Sequence, residues 1–413
     1  MLGQLFVREC RQTARSLIFW LTVLILIFDF TTQLGEMEID EEPQPGQESY
    51  GHRQSKDPDI IMRSTLGQLT EEYVRENYTT YPIGFYKSVT LNEKDDARIG
   101  EILEETAGIA GRESAEQIIE EWYAARNEPG LAGEPLKVEP ADGMTYEHFT
   151  ELMDEADKIL GGGSNYGKEY REKNAQVPMT YEDAVKEYDA LIEEDRLTGG
   201  YARLFCDYMV IFLGILPVFL AVTRGLRDRR SMMQELIYTR KCSSLTVIVS
   251  RYLAMLVMLT LPVLILSLNP LLKCMSYAGK AGIAADTLAF VKYTFGWLFP
   301  TIMIVSALGM FLTELTDTAA AVLVQGAWWF IAVFGGVDRL SGGMYGWNPM
   351  PRHNTELNWQ GFHDGFAQLA ANRLLYTAAA LLLVLLTVLI YSQKRKGRLH
   401  IRGKILANRK SKS

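Results

Sequence analysis

From Leu374 to Leu386 the chain reads Leu374-Leu375-Tyr376-Thr377-Ala378-Ala379-Ala380-Leu381-Leu382-Leu383-Val384-Leu385-Leu386, without a charge, a proline or a glycine. A bilayer core about 30 Å thick is crossed by roughly 20 such residues in helical form, because lipid offers nothing to an unpaired backbone N–H or C=O. Six stretches meet that requirement: Ser16–Leu34, Leu204–Val222, Leu245–Leu268, Ala289–Thr313, Thr318–Val337 and Leu374–Tyr391. The fourth and fifth are separated only by Glu314-Leu315-Thr316-Asp317. Two acids so close together are costly at a bilayer centre, so this tetrad reads as a tight turn at the membrane surface. Ser16–Leu34 reads as an uncleaved anchor and not a signal peptide, since it is long, carries Asp29 and lacks a small-x-small cleavage site. The expected fold class is an α-helical integral membrane protein with six transmembrane helices and a mainly helical extracytoplasmic domain.

Mean hydropathy is near zero, at −0.01, but the charges behind that average are segregated. Residues 35–200 hold 39 acids against 16 bases, and the other 247 residues hold 11 acids against 26 bases. This separation excludes a single soluble globule. It predicts an N-terminal amphipathic helix and first span over 1–34, and an acidic extracytoplasmic domain over 35–200. Five further spans lie within 201–392, and a basic tail covers 393–413. All four cysteines lie outside the acidic domain, which therefore needs no disulfide.

Orientation follows from Lys and Arg in the short loops. With the N-terminus inside, the inner segments carry 18 such residues, from Arg8, Arg11 and Arg15 through Arg224–Lys241 to the tail beyond Tyr391. The short outer loops carry five: Lys273, Lys280, Arg339, Arg352 and Arg373. Arg251 and Lys292 fall inside spans near their ends, where long side chains reach the interface. Both termini are expected in the cytoplasm of a multi-pass cell-membrane protein.

Within the acidic domain, Ile99, Ile102, Leu103 and Ile109 recur at helical spacing, followed by Ile118, Ile119, Trp122 and Tyr123. Met144-Thr145-Tyr146-Glu147 and Met179-Thr180-Tyr181-Glu182 lie 35 residues apart, each with Thr as an N-cap. The first segment closes at Gly161-Gly162-Gly163 and the second at Gly199-Gly200. A duplicated hairpin would look like this, as would ordinary helices sharing cap chemistry. Glu36–Pro58 is acidic, poor in apolar residues and reads as a linker.

Catalytic chemistry is absent from the pattern. Gly167-Lys168, Gly279-Lys280 and Gly403-Lys404 are not followed by Ser or Thr, so there is no P-loop, and no His-Glu-x-x-His or Gly-x-Ser-x-Gly occurs. His353 and His363 share a loop at a spacing that matches no common metal site, and they read as solvated. Tyr201, Tyr208, Trp347 and Trp359 near span ends read as interface anchors. Asp29 and Asp207 fall near span ends, and the middles of the spans offer no evident ionisable relay. No enzymatic activity, cofactor, metal or nucleic-acid partner is expected of this chain.

The most informative stretch is the loop 224–244, with Arg227-Asp228-Arg229-Arg230, then Glu235-Leu236, then Thr239-Arg240-Lys241-Cys242-Ser243-Ser244. Leu226, Met233, Leu236 and Ile237 share one helical face, suited to a partner's groove or to lipid headgroups. A charged run, a Glu-Leu pair and a small polar turn into span three resemble the first cytoplasmic loop of the type-2 ABC exporter permeases (ABC-2-like). Six spans with both ends inside and a large insert between spans one and two are also similar to that family. In place of the family's Gly-Thr-hydrophobic before the Glu stands Met232-Met233-Gln234, and in place of its Pro stands Lys241-Cys242. The resemblance implies a permease subunit of an exporter, and the negative field of the acidic domain, which concentrates cations, makes cationic antimicrobial peptides the expected cargo. ABC ATPase subunits would dock on Arg227, Asp228, Arg230, Glu235, Leu236 and Arg240, with ATP and Mg held only in that partner. It further implies a second permease subunit, a connecting helix over 1–15 on the inner surface, and a partly re-entrant hairpin around Ser341-Gly342-Gly343 and Trp347-Asn348-Pro349. The alternative from another class is a membrane-anchored sensor whose acidic domain binds an external ligand.

The charge asymmetry makes a topological prediction. A reporter active only outside the cytoplasm works when fused after Gly130 and is silent after Arg230 or Lys396; activity at Arg230 would contradict the orientation.

Overall fold

The computed structural model describes residues 2–82, 86–125, 135–230, 237–239, 242–334, 345–353 and 357–398. It is mostly helical, at 71%, and divides into two compact units. One is built on Glu41–Tyr188; the other gathers the apolar helices before and after it.

The first unit lies inside the expected acidic domain and is held by short helices with clear caps. Asp57 caps α3 (Pro58–Val74) by accepting from Asp59 N, with Pro58 in the first turn where a missing N–H costs nothing. Asn92 caps α4 (Glu93–Ala107), which stops at the left-handed Gly108. Next come α5 (Gly111–Ala125), α6 (Tyr146–Ile159, capped by Thr145), α7 (Lys168–Asn174) and α8 (Tyr181–Glu193). Leu66 and Leu69 of α3, Ile99, Ile102 and Leu103 of α4, and Phe149 and Met153 of α6 form the dry centre. Buried in the same unit, Glu72 accepts from Tyr166 Oη, from Asn165 Nδ2 at 3.2 Å and from Thr79 N at 3.3 Å. Burial nevertheless pushes its carboxyl above the usual range.

Two sequence expectations are corrected in this unit. The stretch read as a linker contains β1 (His52–Gln54), which pairs antiparallel with β4 (Gln176–Pro178), His52 opposite Pro178. A second ribbon joins β2 (Tyr78–Thr80) to β3 (Lys87–Val89). The two Met-Thr-Tyr-Glu segments begin alike, since Thr180 Oγ1 also accepts from Asp183 N, but they end differently. Gly161, Gly162 and Gly163 break the chain after α6 with φ of 93°, 85° and 68°. Gly199 and Gly200 terminate nothing; they lie inside α9 (Thr198–Leu213), where Gly200 admits Leu191 against the backbone.

In the other unit, α1 (Leu2–Ala14) meets α2 (Leu17–Gln33) at 66°, and α9 meets α10 (Leu216–Arg230) at 41°. α11 (Ser244–Leu266) and α12 (Leu268–Ala281) run on as one 38-residue helix. α13 (Ala289–Tyr293), a π turn (Thr294–Leu298) and α14 (Phe299–Thr316) make another of 28 residues. The wide turn falls just before Pro300, which has no N–H to return to the preceding turn. α15 (Ala320–Phe334) is apolar and short, and α16 (Trp359–Arg395) is 37 residues long. Among the described residues three helices are long and apolar enough to cross a membrane, and up to five if each bent pair is one span. Outward faces of these helices and of α15 are apolar: Leu374, Phe28 and Leu323 are 71%, 67% and 78% exposed, as suits a surface solvated by lipid.

Small residues let α10 and α14 cross closely. A Cβ at Gly309 of α14 would stand 2.7 Å from Ala221 Cβ of α10, and one at Gly225 would stand 2.8 Å from Thr313 Cγ2. Small residues four apart on both helices let the backbones approach, which is how apolar helices gain packing where lipid supplies no hydrophobic drive. The turn expected at Glu314–Asp317 falls later: Glu314, Leu315 and Thr316 still belong to α14, and the chain breaks at Asp317, in the left-handed region at φ 57°.

Candidate functional site

The lower part of the bundle, termed here the proximal end, is where α2 and α11 begin and α10, α14 and α16 finish. A charge buried among apolar helices must meet a partner, and Glu9, Arg224 and Arg251 do so here, with Arg227 and Asp228 partly buried beside them. Glu9 of α1 is 5% exposed and pairs with Arg224 of α10, with Arg227 at 3.7 Å and Arg251 of α11 at 3.8 Å. Asp228 pairs with Arg251 and lies 3.4 Å from Arg227, which also donates to Gln12 Oε1. Arg224 donates to the Glu9 carbonyl at 3.3 Å. Beside this network Lys394 of α16 holds Asp317 at 2.7 Å and Glu314 at 3.5 Å, and Arg395 donates to Tyr238 O at 2.8 Å and to Cys242 O.

Of the residues expected to dock an ATPase, Arg227 and Asp228 sit in this network and Arg230 closes α10. Glu235, Leu236 and Arg240 lie outside the described residues. Sequence reasoning missed Glu9, and it read Arg251 as reaching the membrane interface, whereas Arg251 is 8% exposed and paired with Asp228. The available signal was a lone acid among the arginines of α1 and a lone cation seven residues into a span. On α1 the face packed against the bundle is polar, with Glu9 and Thr13 buried, while the apolar Leu2 is 45% exposed. Between the two ion clusters lies a cavity of about 20 Å³ lined by Asp228, Tyr238, Arg251, Glu314, Asp317 and Tyr391 among others. That admits about one water and no organic ligand. These ion pairs tie α1 to α10 and α11, the helices on either side of residues 231–243.

The opposite, distal end holds a second polar layer built around residues 345–353. The sequence alone makes this segment a loop, but Tyr345, Met350 and His353 are nearly inaccessible. Irregular backbone among apolar helices survives only if its polar groups find protein partners, and they do. Asn372 donates to Gly346 O at 3.0 Å and Asn348 O at 2.8 Å; Tyr376 donates to Trp347 O at 2.6 Å; Trp297 donates to Pro351 O at 2.9 Å. Arg373 donates to Pro349 O at 3.1 Å, Trp297 O at 3.0 Å and Thr301 Oγ1 at 2.8 Å. Asp207 accepts from Arg352 and from His353 N, both at 2.5 Å. His353 Nε2 faces only the carbonyls of Leu357 and Asn358, so it carries the proton and Nδ1 accepts from Tyr345 Oη at 2.7 Å.

These contacts correct several expectations. Arg352 and Arg373 were counted as loop cations, but Arg373 is 5% exposed and lies well inside α16, which begins at Trp359. His353 is buried and not solvated, while His363 stacks on Trp359 at 4.8 Å. Tyr201 is no surface anchor, since it is buried and its hydroxyl accepts from Asp40 N at 2.8 Å. Arg203, paired with Asp195 at 2.5 Å, is a buried ionisable group missing from the sequence reading, and Asp29 and Asp207, read there as lying near span ends, are buried as well. Among the described residues no three His, Cys, Asp or Glu side chains gather as a metal site. No family model, curated protein or solved structure matches the chain.

Arg373 supports a direct prediction. Arg373→Gln leaves buried carbonyls without donors, each costing about 1–3 kcal/mol. Amide hydrogen exchange in 345–353 is expected to rise on the order of ten-fold or more, with Arg373→Lys intermediate. Unchanged exchange would show that the segment is held by other contacts.

Proposed function

We propose that the chain is the permease subunit of an ABC exporter, forming with a second permease subunit a pathway driven by separate ATPase subunits. The observation that supports this most is the Glu9–Arg224–Arg251–Asp228 network. A push on the loop 231–243 by an ATPase would reach α1, α10 and α11 together, because breaking any one pair strands a buried charge. On this reading α2, the bent pair α9–α10 and α15 join the three long helices as spans, making six with both termini in the cytoplasm, and residues 35–200 lie outside. ATP and Mg belong to the partner, and this chain does no covalent chemistry. The excess of 23 negative charges in residues 35–200 favours cationic peptides as cargo, because such a field concentrates cations.

The test is co-purification in mild detergent. The wild-type chain is expected to bring down an ATPase subunit whose hydrolysis depends on the complex. The double variant Arg227→Ala, Glu235→Ala is expected to weaken that association or uncouple hydrolysis from transport. Loss of one partner of a buried, hydrogen-bonded charge pair costs roughly 2–5 kcal/mol, and less where the pair is exposed. A chain that purifies without any ATPase and with a signalling partner instead would favour the sensor reading.

A further inference from the structure

The proximal network fixes not only where α1 sits but how it is rotated. Glu9 and Thr13 are held against the bundle, with Glu9 tied to Arg224. At 3.6 residues per turn, Gln4, Arg8, Arg11 and Arg15 fall on one stripe about 150° around the helix from that face. All four are exposed. With Val7 and Gln12 they line a groove of about 400 Å³. No acid is paired with Arg8, Arg11 or Arg15 among the described residues.

What stands opposite this stripe is set by α2. That helix leaves α1 at 66° and presents Leu17, Trp20, Leu21 and Leu24 outward, 72%, 53%, 44% and 60% exposed. Such a face belongs in lipid. Trp20 lies at the junction, its ring N–H donating to Ala14 O at 2.8 Å, and an amphipathic indole at the end of an apolar helix marks headgroup depth. α1 therefore runs at the level of the headgroups, its inner side taken by protein and its arginine stripe turned toward the surrounding lipid. We propose that the stripe Arg8–Arg11–Arg15 is a binding site for the headgroup phosphate of an anionic phospholipid. Three guanidiniums present the forked donors that match phosphate oxygens, and the flanking Val7, 55% exposed, meets the acyl region. The inference rests on the membrane reading of α2 and not on the permease assignment, so either can fail alone.

The test uses the full-length chain in detergent, titrated with phosphatidylglycerol or phosphatidylcholine and read by native mass spectrometry. A basic residue near an anionic surface is worth about 1 kcal/mol, roughly five-fold in affinity. Phosphatidylglycerol is expected to bind on the order of ten-fold or more tightly than phosphatidylcholine. That ratio should fall towards unity in the triple variant Arg8→Gln, Arg11→Gln, Arg15→Gln and be largely kept in the triple Lys variant. Because the ratio compares two lipids on one protein, a general loss of folding does not imitate the result. A wild-type ratio near one, or a ratio unmoved by the Gln variant, would overturn the proposal. Displacement of phosphatidylglycerol by millimolar inorganic phosphate would overturn it too, in favour of a free-phosphate site. An unchanged ratio with release of a co-purifying protein would assign the stripe to protein docking.

Discussion

A charge removed from water into an apolar bundle must be neutralised or fully hydrogen-bonded, and this requirement organises the helical unit at both of its ends. Proximally, Glu9 is the centre: without it Arg224 and Arg251 would face each other across buried space. Distally, Arg373 has no carboxylate partner among the described residues and gives its donors to carbonyls and to Thr301 and Asn372. The two solutions differ in consequence. An ion pair ties together helices that already exist, whereas a guanidinium among carbonyls makes an irregular segment tolerable inside a helical bundle. Between the ends, packing needs no charge, because Ala221 and Gly225 meet Gly309 and Thr313 closely enough for dispersion to hold the crossing.

Apolar runs of helical length were legible in the sequence because composition alone reports them. The cap residues of the acidic unit were legible for a similar reason: Asn92, Thr145 and Thr180 act locally. Long-range polar pairing was not legible. Arg373 lies beside an uninterrupted apolar run and reads as its boundary, although α16 starts fourteen residues earlier through Gln360, His363, Asp364 and Asn372. Nothing local distinguishes an arginine at a helix end from one donating to the carbonyls of Asn348 and Pro349, 25 and 24 residues away. Gly199-Gly200 misled for the opposite reason. Glycine is a stop signal when it follows a helix, and here it lies within one because Leu191 and Asp195 crowd that face. The docking residues were only half placed, since Arg227 and Asp228 turn out to be occupied within the chain.

On the proposed reading, these features describe how force would pass through the molecule. The loop 231–243 is bounded by α10 and α11, and both are joined through Glu9 to α1. Lys394 joins the end of α16 to the α14–α15 turn at Asp317. Movement at the loop therefore engages helix ends together, while the small-residue crossing of α10 and α14 gives a surface along which packed helices can slide. The segment 345–353 stays fixed at the other end by its dense hydrogen bonding.

Central to this account is that Glu9 and Arg224 act as one unit binding α1 to the bundle. A double-mutant cycle measures that directly, from denaturant unfolding of the wild type, Glu9→Gln, Arg224→Gln and the double variant in detergent. Each single substitution is expected to cost about 3–5 kcal/mol, because it strands a buried charge. The double is expected to cost less than the sum of the two singles, with a coupling of at least about 1.5 kcal/mol. Additive losses would contradict the account, showing that α1 is held by other contacts.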